Sequence, residues 1–263
     1  MKWRAGVLAA VVAAAVIGAC TQVSADPKAV VALAFDSLPY PAVVSGDTLR
    51  DEAGVATALH ATALNVDGDV IADAPVTFLL LDSGATLTPT NLVVSTNPAA
   101  TTLRIVAQVG TLQSRTLSLF VTPLPDSVSQ SGVIDTLRIV VPDGSANTSD
   151  ALTAHVWSNT VTAPVSGTGW IVRYGVEYHG AALGAASGFA YLVDDNGRRS
   201  AEDTTGTDGL ASRRLRVNAD SLNLPDQFAT DSIVVTASAA AHGAPLAGSP
   251  IRVVIQVKAK PPQ

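Results

Sequence analysis

Cysteine is nearly absent from this chain: among 263 residues there is one, Cys20. A single thiol excludes an internal disulfide framework and any site built from several cysteines. Aromatic residues make up 5% of the chain, few for the exposed aromatic surface that carbohydrate binding needs. The four histidines, His60, His155, His179 and His242, are scattered with no pair at zinc-ligand spacing. No G-x-S-x-G elbow and no phosphate-cradling glycine loop is present, so the chain reads as non-enzymatic. Basic residues are outnumbered, 16 Lys+Arg against 22 Asp+Glu. Such a balance lacks the basic patch that nucleic acid requires. Long apolar runs are missing too, with one exception.

That exception runs from Ala5 to Ala19, after Lys2 and Arg4, and closes on Gly18 and Ala19. It is shorter than the roughly 20 residues that span a bilayer, and its alanines gain little in lipid. A basic start, a short apolar middle and a small-residue exit predict a secretory signal over 1–19. Ile17-Gly18-Ala19-Cys20 resembles a lipobox, the processing site of bacterial lipoproteins. The resemblance implies cleavage before Cys20 and acylation of its sulfur. With Thr21 next, it favours the outer membrane, with the periplasmic and surface faces both open. Several acyl chains on one residue make a firm anchor, each buried CH2 adding about 0.8 kcal/mol. Removing residues 1–19 takes Lys2 and Arg4 and no acid, leaving 14 basic against 22 acidic side chains. Without disulfides the rest is held by burial, and 48% hydrophobic residues suffice for two domains.

Residues 20–28 read as a lipidated polar tether. Beyond them period-two alternation dominates. Leu59, Ala61 and Ala63 alternate with His60, Thr62 and Leu64; Leu103, Ile105 and Ala107 with Arg104, Val106 and Gln108. Asp67-Gly68 and Val109-Gly110-Thr111 supply hairpin turns. The stretch PLPDSVSQS, 123–131, has two prolines, small polar residues and no apolar period, so a linker is predicted over 124–131. The plan then repeats. Leu152, Ala154 and Val156 alternate with Thr153, His155 and Trp157; Trp170, Val172, Tyr174, Val176 and Tyr178 with Arg173, Glu177 and His179. Ile251, Val253, Ile255 and Val257 form a last inward row. About seven short strands per half, divided by turn signals, predict two antiparallel β-sandwiches in tandem, over 29–123 and 132–260.

Both halves resemble bacterial immunoglobulin-like (Big) domains of the invasin and intimin type. GDTL (46–49), LHATALNVDGDVIADAPVTF (59–78) and VAQVGTLQSRTLSLFVTP (106–123) carry the likeness in the first half. TDGLASRRLRV (207–217) and SIVVTASAAAHGAPLAGSPIRVVIQV (232–257) carry it in the second. The stretch 178–207 departs from the family's compact domain. The resemblance implies an all-β fold of immunoglobulin-like sandwiches and a spacer, adhesion or assembly role, with no catalytic residues to carry over.

Asn65, Asp67, Asp69 and Asp73 could gather oxygens around calcium, but Gly68 is fourth in that loop and Val76 stands where an EF-hand needs its twelfth-position carboxylate. A solvated turn fits better. Asp194, Asp195, Asp203 and Asp208 form a second acidic group with the same two readings, around an Asn196-Gly197 turn. No other cofactor is expected. Gly180, Gly184 and Gly188 have helix-dimer spacing but no apolar helix around them, so a flexible loop is expected at 180–188. Arg198, Arg199, Arg213, Arg214 and Arg216 are unusual in an acidic chain; on the strand after Gly209, Leu215 and Val217 face one way and Arg214 and Arg216 the other, which reads as a solvated strand face that discourages edge pairing. His155 and Trp157 fall on the outward side of their strand. An outward tryptophan is a candidate recognition residue, so this pair is the expected patch for a protein or glycan. A carbohydrate-binding or carbohydrate-degrading accessory is the rival reading; it requires exposed aromatics or paired carboxylates in a groove.

Overall fold

The computed structural model describes residues 29–97, 101–132, 136–139, 146–159, 163–184, 186–218 and 230–259. The signal, Cys20 and the whole tether lie outside the described residues.

The chain is all-β. The first half contributes β1 (Ala32–Ala34), β2 (Ala42–Val44), β3 (Thr62–Leu64), β4 (Thr77–Leu80), β5 (Ala85–Leu87), β6 (Val93–Ser95), β7 (Thr101–Val109), β8 (Leu112–Gln113) and β9 (Leu117–Thr122). The second contributes β10 (Ser127–Ser131), β11 (Thr136–Ile139), β12 (Ala146–Asn159), β13 (Pro164–Ser166), β14 (Ile171–Tyr178) and β15 (Ala181–Leu183). It continues with β16 (Ala190–Val193), β17 (Glu202–Thr204), β18 (Leu210–Asn218), β19 (Thr230–Ala241), β20 (Ala244–Pro245) and β21 (Ile251–Ala259).

In the second half one sheet has the order β10-β12-β18-β16 and the other β11-β21-β19-β14-β15. This is the ABED and GFC arrangement of an immunoglobulin-like sandwich. The first half repeats it, with β2-β9-β7-β4 as one sheet and the shorter pairs β1-β3 and β5-β6 opposite. In each half the first strand is split. Its opening part pairs antiparallel in one sheet (β1 on β3, β10 on β12), then the chain crosses and pairs parallel in the other (β2 on β9, β11 on β21). The predicted sandwiches are otherwise antiparallel, and these two parallel pairs are what the sequence did not show. Side-chain alternation is the same in either direction and cannot reveal strand direction.

The alternation itself matches the burial. Leu152, Ala154 and Val156 are buried between half-buried neighbours, and Trp170, just before β14, is buried with Val172, Tyr174 and Val176 on it. Leu103, Ile105 and Leu119 have no exposed surface, and truncating such side chains to alanine costs about 2–5 kcal/mol each.

Two segments expected to lack structure are strands. Ser127–Ser131, inside the expected linker, is β10, with Val128 buried at 4% exposure and its N–H bonded to the Ala247 carbonyl. The linker is therefore shorter than 124–131. One inward valine and a line of backbone hydrogen bonds suffice for an edge strand, and serine-rich composition conceals both. Ala181–Leu183, inside the expected glycine-rich loop, is β15, paired with Val176–Tyr178 of β14. Backbone pairing needs no large side chain. The turns at Gly68 and Gly110 stand where the sequence places them.

Candidate functional site

The most elaborate polar and aromatic arrangement lies where the two sandwiches meet. Tyr40, just before β2, is 6% exposed and packs its ring 5.3 Å from that of Trp170, which precedes β14. The Ile171 N–H donates to Tyr40 Oη at 2.9 Å. Burial pushes the phenol up to about 12, so it stays protonated at any physiological pH. The His242 ring stands 6.4 Å beyond Trp170, in the turn between β19 and β20. Burial, with the Arg50 guanidinium nearby, holds this imidazole below its ordinary range, and Asp47 opposes the shift. Asp47 is itself held low by its ion pair with Arg50 at 3.0 Å.

Backbones also meet here. A Cβ added to Gly54 would lie 2.5 Å from the His242 carbonyl oxygen, and one added to Gly243 would lie 2.8 Å from that of Ala53. At Gly169 it would strike Phe120 and Ala42 of the first sandwich. Arg173 reaches across to Glu52 and also pairs with Glu202 at 2.7 Å. Between these contacts lies a cleft of about 150 Å³. None of these residues was singled out as a site from the sequence. Tyr40 and Ile171 are 131 positions apart, and only the parity of Trp170 hinted at burial.

The predicted patch is placed on the outward side of β12. His155 and Trp157 stack with ring centroids 6.4 Å apart and planes 14° from parallel. Both are half-buried, and neither His155 Nε2 nor Trp157 Nε1 touches solvent. Gly209 packs close to the imidazole. His60 and His179 are exposed, and His179 Nε2 lies 3.0 Å from Asp231.

The acidic groups are turns with internal bonding. Asn65 Oδ1 accepts the Asp67 and Asp69 N–H groups, and Asp194 Oδ1 accepts those of Asn196 and Arg198. Asp203 is drawn away to accept Ser212 N–H at 2.7 Å. Among the described residues no group of three or more His, Cys, Asp or Glu is placed to hold a metal ion.

The arginines divide. Arg214 and Arg216 sit on the outward side of β18, whereas Arg213 points inward with Leu215 and Val217 and is 9% exposed. Arg214 and Arg216 stand outward as their spacing predicts, and Arg213 joins the inward row. Its guanidinium pairs with Asp203 at 3.0 Å and donates to Ser200 Oγ and to the Ser212 and Glu202 carbonyls. A charge in the sandwich is tolerated because it is paired and hydrogen-bonded.

No protein-family model matches the chain, and no curated protein matches its sequence. Among solved structures it is similar to the adhesin InvE of Yersinia pseudotuberculosis, at 12% identity over 82% of this chain, with a TM-score of 0.33. The match spans 56% of that adhesin chain. It is similar to the D0-D1 domain of intimin at 12% identity, covering 88% of this chain and 99% of that one, with a TM-score of 0.26. The periplasmic chaperone SfaE matches at 8% identity over 51% of this chain and 59% of its own, with a TM-score of 0.31. Likeness at this level says nothing of activity or partner; the fold stands on the strand pairings above. Among the described residues no helix is long and apolar enough to cross a membrane.

Proposed function

We propose that this chain is a non-catalytic envelope lipoprotein, held at the outer membrane by acyl chains on Cys20, whose two sandwiches act as one stiff spacer that presents an adhesive or assembly surface. The packed junction carries this reading. Tandem domains on a plain linker move freely by default. Here Tyr40 and Trp170 share a buried contact, two turns meet backbone to backbone, and Arg173 ties Glu52 to the second sandwich. Such a junction transmits orientation from the anchor to the distal end. Its partner is a protein or glycan at the envelope.

The test starts from a Cys20→Ser chain, which then has no thiol. Spin labels on Thr102→Cys and Val254→Cys, both exposed and one in each sandwich, report the distance between them. A single narrow distribution supports the spacer. A broad one spanning tens of ångströms overturns it. Fatty-acid labelling in cells checks the anchor separately: wild type takes up label, and Cys20→Ser does not.

A further inference from the structure

The cleft at the junction takes its walls from both sandwiches and carries hydrogen-bonding groups that the fold leaves unused. Thr48 Oγ1 and both ring nitrogens of His242 make no hydrogen bond among the described residues, and both side chains line the cleft half-buried. Ser249 Oγ accepts the Ala239 N–H at 3.1 Å and Tyr40 Oη accepts that of Ile171, which leaves the hydroxyl proton of each without an acceptor. Glu52 and Arg173, both in the cleft wall, are the charges that act on the Tyr40 phenol. Groups of this kind are costly to cover unless whatever covers them hydrogen-bonds in turn.

The charged side chains of the wall are already engaged. Arg50 pairs with Asp47 and donates to the Gly54 carbonyl, and Arg173 pairs with Glu52 and Glu202. Asp51 accepts the Val55 N–H and the Thr57 hydroxyl. Arg50 and Arg173 balance Asp51 and Glu52 along the wall, and burial keeps the His242 imidazole neutral at neutral pH. The cleft therefore has no spare charge to offer an ion. Ala240 and Pro245, both exposed, supply an apolar surface at its mouth.

We infer that the cleft binds one uncharged sugar ring, a hexose of a glycan, its hydroxyls bonded to Thr48, Tyr40, His242 and Ser249 and its C–H face on Pro245 and Ala240. Hydroxyls and a neutral imidazole both donate and accept, as sugar hydroxyls do. A space of about 150 Å³ is on the order of five waters at about 30 Å³ each. A hexose, with a hydroxyl on nearly every carbon, replaces such a cluster group for group. A peptide offers one N–H and one C=O per residue, spread over about 3.3 Å, too sparse for the groups gathered in one recess of this size. Recognition comes from hydrogen bonds, because the rings of Tyr40 and Trp170 are too deeply buried to serve as a stacking platform. The inference rests on the docked junction proposed above, since neither sandwich forms the cleft alone.

The experiment titrates methyl glucoside, methyl galactoside and methyl mannoside into the full chain carrying Cys20→Ser and follows amide NMR shifts. Glucuronate and N-methylacetamide are the charged and peptide-like controls. At least one glycoside should saturate in the millimolar range, with shifts centred on residues 48–52, 171–173 and 238–249, and bind at least about fivefold tighter than either control. His242→Phe keeps a ring against Trp170, and Thr48→Val keeps the shape of the side chain. Each removes hydrogen-bonding groups and should weaken binding about fivefold while the spin-label distances between the sandwiches stay narrow. Absence of saturation with all three glycosides overturns the proposal, as does unchanged affinity in either variant. Glucuronate binding as tightly as the glycosides overturns it in favour of an ion site, and tighter binding of N-methylacetamide reassigns the cleft to a peptide. Narrow distances without sugar binding overturn the site and leave the spacer standing; broad distances without binding remove both. Binding that persists with broad distances places the sugar elsewhere and also overturns the site.

Discussion

Gly54 offers a direct test of whether the junction couples the two sandwiches, because Gly46 provides a matched control. Both glycines lie in turns of the first sandwich with positive φ, +84° and +77°. Alanine in this left-handed region costs about 1–2 kcal/mol at either site. At Gly46 the added Cβ meets nothing within 4 Å, so that cost is the whole effect. At Gly54 it arrives 2.5 Å from the His242 carbonyl oxygen and 3.0 Å from its Cα. Backbone cannot yield as a flexible side chain does, so the two turns must part. Overfilling a packed contact adds about 1–3 kcal/mol, and a gap of about 0.5–1 Å forfeits a quarter to a half of each dispersion contact along the seam. Gly46→Ala should therefore lower the melting midpoint modestly and leave the spin-label distances between the sandwiches unchanged. Gly54→Ala should lower the midpoint by at least a further 4 °C or so, at about 4–8 °C per kcal/mol for a domain of this size, and broaden the distances. Equal midpoints and equal distributions for the two variants would show that the turns touch without coupling.

Replacing Arg213 by alanine strands Asp203 beside the core and should cost about 3 kcal/mol in denaturant unfolding, the low end for breaking a buried pair. Arg214→Ala, on the outward side with only a 3.7 Å contact to Asp195, should stay within about 0.5 kcal/mol; similar losses for both would refute the inward assignment. His242 is held below its ordinary range by burial, so the unfolded chain takes up that proton first. Stability should be level above about pH 7 and decline as pH falls below about 6.5. The carboxylates held low, Asp47 and Asp231 among them, lose their contribution only below about pH 4. His242→Gln should flatten melting midpoints between about pH 5 and 6.5, and a slope that survives in this variant would assign the proton elsewhere.

Much of the fold was legible because a strand buried on one face writes its burial in period two. The inward rows on β12, β14 and β21 are all read from spacing. The same parity places Arg213 with Leu215 and Val217, so its burial was also written there, although residue type argued against it. What stayed hidden has no local signature. β10 is held by ladder bonds that serines make as well as valines, and β15 by the backbone of alanines. The junction joins Tyr40, Trp170 and His242, residues from three separate turns whose meeting depends on how two finished sandwiches stack. The outward parity of His155 and Trp157 was correct, yet parity cannot say that neighbouring strands shield their ring nitrogens from water.

The split first strands bear on what happens when the chain is pulled. In each sandwich the entering strand lies parallel to the leaving one, β2 beside β9 and β11 beside β21. Tension between the ends therefore drags the two strands past each other in opposite directions. The hydrogen bonds of Ala42–Val44 with Phe120–Thr122, and of Thr136–Ile139 with Gln256–Ala259, are loaded together in shear instead of being peeled open one at a time. Resistance to forced unfolding is set by the barrier to rupture, not by equilibrium stability. A chain held at one end and tugged at the other would meet that barrier twice, once at each clasp.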